Sequence, residues 1–267
     1  MGESTLSWMK GLVPGSSRSF LRQKLFALLG APFFRFGHQS FSQAGEDCVL
    51  RFLFLDCKIS LDQVSYLDIG SRHPTAGSNT CLLYLSGARG VCVDADRTFI
   101  ELYRQMRPRD KVLNVGVTDS AEPASSLYFM EGGGSTFNRE EADKRVQSGT
   151  ACVTDVVTVP MVHINSLIKA EFDAFPTLLS IDIETLDLRV LKALDFDSFP
   201  IPVICVETCH YSENHVRDKD HSIADFLLSK GYEIYADTYI NTIFVLSRWF
   251  RSPQPGAGAR TSEGMGP

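Results

Sequence analysis

At 267 residues, 44% apolar and with a formal charge of −6, the chain can bury one large α/β core or two small ones. It lacks the basic excess expected of a nucleic-acid surface. No apolar run reaches the roughly 18 residues a membrane span needs, no secretory pattern opens the chain, and the seven cysteines (48, 57, 81, 92, 152, 205 and 209) form no C-x-x-C pair, as expected of a cytoplasmic protein with reduced, mostly buried thiols.

Residues 1–40 carry five Lys/Arg against one acid, and the apolar, basic stretch 18–36 is expected to form a helical extension packed on the domain, with peripheral membrane contact as the alternative. From residue 41 onward β-rich runs alternate with helical periods. In order these are helix 46–55, strand 65–69, helix 79–87, strand 90–95, helix 98–106 and strand 111–117. An insert at 119–176 follows, holding SLYFM, EGGGSTFN, the charged patch EEADKRV and the strand-like VTDVVTVPMVHI, and is expected to add a hairpin and a lid. Strand 177–183, helix 187–194, strand 202–207, helix 223–231 and strands 232–236 and 241–246 complete a domain spanning 41–251. The tail 252–267 is too poor in apolar residues to fold. Such alternation predicts βαβ units and a parallel sheet. The turn at 237–240 is too short for a parallel crossover, so the last strand is antiparallel. The predicted fold is therefore α/β and Rossmann-like, a seven-stranded, mainly parallel sheet with an antiparallel last strand and helices on both faces, the arrangement of class I methyltransferases.

Ligands of open α/β sheets bind beyond the carboxyl ends of the strands. The first strand ends in Asp68-Ile-Gly70 and the second in Asp94-Ala-Asp96, where an acid would hold a ribose diol. After Gly70 the next glycine is Gly77, so the three-glycine turn of a nicotinamide dinucleotide site is missing. S-adenosylmethionine has no pyrophosphate and needs only one glycine there, and Asp68 would suit its amino group. Arg72 and His73, in the same loop, are candidates to gate a ligand. Asp182 and Glu184 leave the fourth strand, Glu207 leaves the fifth, and His210 follows, so these groups should meet at one rim of the sheet. A buried carboxylate needs a partner, and general-base removal of a hydroxyl proton would give these acids one. Asp187 reads as a helix-start acid, and His215 and His221 as solvated loop residues. Glycines 132–134 lack a P-loop lysine and read as a flexible turn beside the acceptor, and Cys205 and Cys209 have the wrong spacing for zinc.

Four segments, SQAGEDCVLRFLF (42–54), YLDIGSRHPTAGSNTCLLYLSGARGVCVDADRT (66–98), LLSIDIETLDLRVLKALDF (178–196) and PVICVET (202–208), together resemble the FkbM family of S-adenosylmethionine-dependent methyltransferases. The resemblance implies methyl transfer to a hydroxyl of a sugar or natural product, hence a small-molecule or glycan acceptor. It places Asp68, Gly70 and Ser71 in the cofactor loop, and Asp94 and Ala95 at the second strand. Asn114 and Asp182 are assigned to the same cofactor. Asn79 lies in the S-N-T step, facing the cofactor or capping a helix with Ser78. By similarity to magnesium-dependent macrolide-sugar O-methyltransferases, Asp182 and Glu207 would bind Mg2+ with Glu184 as base; metal-free catalysis by Glu184 or His210 is the alternative. The chain departs from the family pattern at Thr185, where the family has glycine, and at Asp94-Ala95, where it has Glu-Pro. These departures keep a catalytically degenerate scaffold as the rival reading.

Overall fold

The computed structural model describes residues 39–252 except 132–134, 184–185, 210–218 and 220. The expected helix at 18–36, the glycine run 132–134, Glu184, Thr185, His210, His215 and all but the first residue of the tail lie outside the described residues. The chain divides into two units, Met1–Ser40 and Phe41–Pro267, of which the second contains the sheet.

Helix α1 (Glu46–Asp56) leads into β1 (Ser65–Ile69), α2 (Cys81–Leu85), β2 (Arg89–Val93), α3 (Thr98–Met106) and β3 (Lys111–Leu113). β4 (Gly116–Thr118) leads into the insert, which supplies β5 (Ala124–Met130), α4 (Arg139–Gln147), β6 (Val153–His163) and α5 (Ile164–Glu171). The main sheet then resumes with β7 (Leu178–Ile181), α6 (Asp187–Ala193), β8 (Val203–Glu207), α7 (His221–Ser229), β9 (Tyr232–Asp237) and β10 (Asn241–Leu246), and α8 (Ser247–Phe250) follows. The main sheet runs β3-β2-β1-β7-β8-β10-β9, parallel except for β10, which is antiparallel to both neighbours. The expected fold is the observed one.

Strand alternation sorts the core into two layers. Leu67, Ile69, Leu179, Ile181, Ile204, Val206 and Phe244 face α5, α6 and α7. Tyr66, Cys92, Leu178, Val203, Cys205, Ile243 and Val245 face α1, α2 and α3. Helix α1 meets its layer with Leu50, Leu53 and Phe54, the spacing of one helical stripe.

The region 111–176 differs from expectation in two ways. The run 111–117 is two strands, not one: the Asn114 amide donates to the carbonyls of Asp94 and Ala95 at 2.9 Å, the chain turns, and β4 pairs parallel with β6 in a second sheet of order β4-β6-β5. Helix α5 has His163, and not Ser, Thr, Asp or Asn, at its N-cap; His163 caps it by accepting from the Asn165 N–H through Nδ1.

Gly90 shows how tightly the strands are fitted beside β1. A Cβ at this position would overlap the ring and carbonyl of Tyr66. That ring has nowhere to retreat, because its hydroxyl donates to Asp110 at 2.7 Å and the side chain is fully buried. Gly90→Ala is therefore expected to cost about 1–3 kcal/mol through overpacking, read as a lowered urea midpoint with an unchanged slope.

Candidate active site

The loop after β1 is built on a close approach of backbones. Gly70 adopts φ 76°, and a Cβ there would overlap the Asp182 carbonyl oxygen at the end of β7. The Gly70 and Ser71 N–H groups both donate to Val93 O, at 2.9 and 3.1 Å, which ties the loop to the end of β2. Arg72 follows in the left-handed region (φ 45°) and donates its N–H to Asp94 Oδ2 at 2.7 Å. The Asp96 N–H donates to the other Asp94 oxygen at 2.8 Å. Burial pushes Asp94 up to about pH 6, against the pull of these two backbone donors.

A buried cation supports the loop from below. Arg107, 1% exposed, forms an ion pair with Asp110 and donates to Tyr66 Oη (3.0 Å), Thr80 Oγ1 (2.9 Å), Ser78 Oγ (3.1 Å) and Pro74 O (3.2 Å). The rings of Tyr66, Tyr84 and Tyr103 surround its guanidinium at 5.1–5.6 Å. Tyr103 Oη donates to Ser71 O, adding a further anchor. Sequence reasoning missed Arg107 entirely.

This network changes what Asp68 can do. Its carboxylate is 5% exposed, accepts from Thr80 Oγ1 at 2.5 Å, and has its pKa raised by burial. It braces the loop from beneath and does not line the cavity described below. Ser78 Oγ accepts from the Cys81 N–H, so the capping role falls to Ser78 and not to Asn79. Asn79 donates to Ser180 Oγ at 3.3 Å, while its buried Oδ1 and the buried Oγ of Ser71 have no hydrogen-bond partner. The His73 ring is used locally, its Nδ1 accepting from the N–H groups of Thr75 and Ala76.

Above the carboxyl ends of β1, β2 and β7 lies a cavity of about 240 Å3. Gly70, Arg72, Asp94, Ala95, Asp96 and Asp182 form its polar side. Val115, Gly116 and Val117 close one end, and Leu127, Phe129 and Met130 of β5 with Ser135–Phe137 roof it. The segment after the glycine run is held against β5 by two backbone bonds between Tyr128 and Thr136. β5 and residues 135–137 thus form the roof of this cavity. The cavity sits where the strand order reverses, between β1 and β7, the position that open α/β sheets use for ligands.

Across the rim, Ile181 is paired with Val206, and Glu207 with Asn241, so Asp182, Glu207 and Asn241 continue one lateral row. Glu184 and His210 lie outside the described residues. Among the described residues no group of three or more His, Cys, Asp and Glu side chains is placed to hold a metal ion, and the expected magnesium site at Asp182 and Glu207 gains no support. Asp187 acts as a helix-start acid, accepting from the Ile183 N–H at 3.0 Å.

The S-Q-x-G-E-D motif is architectural. Asp47 accepts from the Phe41 N–H and Ser42 Oγ. Glu46 accepts from the Ala44 N–H, Thr238 Oγ1 and Asn241 Nδ2. Burial pushes Glu46 up, but these bonds together hold its pKa below the ordinary value. Phe41 O accepts from the Ser78 N–H, so the motif joins the loop after β1 to the β9–β10 turn.

The sheet order and the cavity over its reversal point define a Rossmann-like fold of the methyltransferase kind. The model of the methyltransferase FkbM domain matches residues 68–234, well over half of the chain, and the protein belongs to that family. Among solved structures it is similar to the O-methyltransferase from Bacillus cereus in complex with SAH, at 12% identity over 88% of this chain and 93% of that one, with a TM-score of 0.38. No curated protein matches the sequence.

Removing the buried cation should be costly, because it strands a carboxylate whose side chain is 0% exposed. Arg107→Met is expected to lower stability by roughly 3–5 kcal/mol in urea unfolding. Arg104→Met, three residues earlier on the exposed face of α3, should change it by less than about 1 kcal/mol.

Proposed function

We propose that the protein is a cytoplasmic S-adenosylmethionine-dependent O-methyltransferase whose acceptor is a hydroxyl of a sugar or natural product. The observation that carries this reading is the cavity over β1, β2 and β7, with a bare glycine on its floor and the Asp94 carboxylate at the end of β2, in a chain of the FkbM family. The chemistry of the lining fits the cofactor. Gly70 lines the cavity, Asp94 there can accept from a ribose diol, and behind the lining Asn79 Oδ1 and Ser71 Oγ are buried polar atoms without partners. We assign Asp94, Ala95 and Asp96 to the ribose, and Gly70, Ser71, Asn79 and Asp182 to the amino-acid end.

When bound, the cofactor supplies a sulfonium-activated methyl group; the protein's share is position and proton removal. Gly70 and the Ser71 loop hold the reacting centre against the sheet, the β5–β6 hairpin excludes water, and a carboxylate takes the acceptor proton as the oxygen is alkylated. Glu184, two residues after Asp182, is the base in this reading, with His210 as the alternative.

Calorimetric titration with S-adenosylhomocysteine tests the reading directly. Micromolar binding, weakened at least tenfold in Asp94→Ala, upholds it; absence of binding to the wild-type chain favours a degenerate scaffold. Glu184→Gln should abolish turnover while leaving this affinity within about twofold, and unchanged turnover would remove Glu184 from the mechanism.

The raised pKa of Asp94 gives the binding a pH dependence. Below about pH 6 the carboxyl is neutral and loses its charge-assisted acceptance of the ribose hydroxyls. Affinity should therefore fall as pH drops through 6, by up to about tenfold per unit, and level off above 7. Asp94→Asn should flatten the profile; a profile that survives the substitution would assign the dependence elsewhere.

A further inference from the structure

Among the described residues, three that are not glycine have positive φ: Lys58, Arg72 and Tyr239. Arg72 lines the cavity. Tyr239, the bulkiest of the three, sits at φ 76° in the turn between β9 and β10 and is 56% exposed. A left-handed backbone strains a bulky residue, and glycine or asparagine would hold the same turn more comfortably. The surroundings fix it there nonetheless. The Tyr239 N–H donates to Asp237 Oδ1 at 2.7 Å, and the Tyr239 carbonyl accepts from Cys209 Sγ at 2.6 Å. Lys219 Nζ donates to the same Asp237 oxygen at 2.7 Å and lies 5.7 Å from the centre of the Tyr239 ring. A strained residue kept in place by its neighbours, with its ring turned to solvent, points to a task for that ring. We infer that Tyr239 is an outer platform of the methyl-transfer site, which stacks on an aryl ring carried at the far end of a long acceptor. This inference rests on the methyl-transfer reading above.

Three features argue for it. The first is place. β10 runs antiparallel to β8 and to β9, so β9 points the same way as β8, and its end at Asp237 lies on the edge of the sheet that carries the cavity. In the order β7-β8-β10-β9, β9 stands three strand spacings from β7, about 14 Å. A small acceptor reacting beside Asp182 falls short of Tyr239; a long one reaches it. The second feature is chemistry. Lys219 spends all three of its protons within the protein, on Thr208 Oγ1, Asp237 Oδ1 and Thr242 Oγ1. The ammonium beside the ring therefore has no donor left for a ligand oxygen, and it draws electron density from the ring it faces. Stacking with an electron-rich aryl group is the interaction that remains. The third is rigidity. Glu46 accepts from Thr238 Oγ1 and Asn241 Nδ2 on either side of the turn, and the same segment holds the loop after β1 through Phe41 O and the Ser78 N–H. The platform is thus kept at a fixed span from the cavity, so it selects for the length of an acceptor as well as for its end group.

The test uses the full chain, saturated with S-adenosylhomocysteine, in calorimetric titrations with two matched pairs of alcohols. Phenyloctanol and cyclohexyloctanol are long enough to span the rim; phenylethanol and cyclohexylethanol are not. Within each pair the length and apolar bulk agree, and one member alone is aromatic. Phenyloctanol should bind at least about threefold tighter than cyclohexyloctanol, while the short pair should bind alike. Tyr239→Asn, which suits the left-handed backbone, should erase the preference, and Tyr239→Phe should keep it. Both variants should leave the S-adenosylhomocysteine affinity within about twofold. The inference is overturned if neither long alcohol binds or both bind alike, if the short pair shows the same preference, or if Tyr239→Asn retains the preference or Tyr239→Phe loses it. Each of these results, in a chain that binds S-adenosylhomocysteine, leaves the methyl-transfer reading intact. A long-pair preference that is lost in Tyr239→Asn and kept in Tyr239→Phe upholds the aryl platform even if S-adenosylhomocysteine does not bind, in which case only the methyl-transfer reading falls.

Discussion

One buried guanidinium fixes the floor of the candidate site. Arg107 leaves α3, turns inward and reaches β1 through Tyr66, the start of α2 through Ser78 and Thr80, and the loop after β1 through Pro74. Taking this charge out of water is expensive, and Asp110 alone would not offset the desolvation. The surplus comes from the additional hydrogen bonds and from three tyrosine rings that present their faces to the cation. Each added bond also fixes one more part of the loop, so the interaction that makes the burial tolerable also sets the positions of Gly70, Ser71 and Asn79.

The fold was legible in the sequence because its signals are local and repeated. Every strand of the main sheet is a short β-rich run, each crossover has room for a helix, and the short turn before β10 forces the antiparallel reversal. Arg107 was illegible for the opposite reason. In RQMRPRD it looks like Arg104 and Arg109, its neighbours on an apparently charged helix end, yet Arg104 is largely exposed and Arg107 is sealed. The difference is made by Tyr66 and Tyr84, brought in from other elements, and no periodicity within the stretch encodes it. The break after Leu113 is of the same kind, since it depends on Asn114 meeting the Asp94 and Ala95 carbonyls some twenty residues away.

Asp68 was a different case, where a signal existed. It shares strand parity with Tyr66, so its side chain points to the layer beneath α2 and not over the rim. An acid two residues ahead of the loop glycine therefore braces the loop, and the acid that reaches the cavity is the one at the end of the next strand. The S-Q-x-G-E-D motif follows similar logic. Its two carboxylates are spent on Thr238, Asn241 and the backbone of residues 41–44, and through Phe41 and Ser78 they hold the loop from its other side.

The sheet register explains why these supports matter. One step beyond the last paired residues of β1, β2 and β7, Asp94, Gly70 and Asp182 continue with the Glu207–Asn241 pair a lateral row across β2, β1, β7, β8 and β10. Adjacent strands lie about 4.8 Å apart, so Asp94 and Asp182 flank the glycine across roughly 10 Å. Gly70 is the one member of the row without a side chain, and the Asp182 carbonyl pressed against its Cα keeps it so. Among the described residues the row is thereby left open at a gap between two acids. The backbone of the gap is held to Val93 from the side and to Tyr103 from below, which leaves it little freedom to close. Asp94, at its edge, accepts from two backbone donors, of which the Arg72 N–H would be lost if the loop relaxed. The shape of the gap and the charge beside it are consequently one property, set by the same hydrogen bonds.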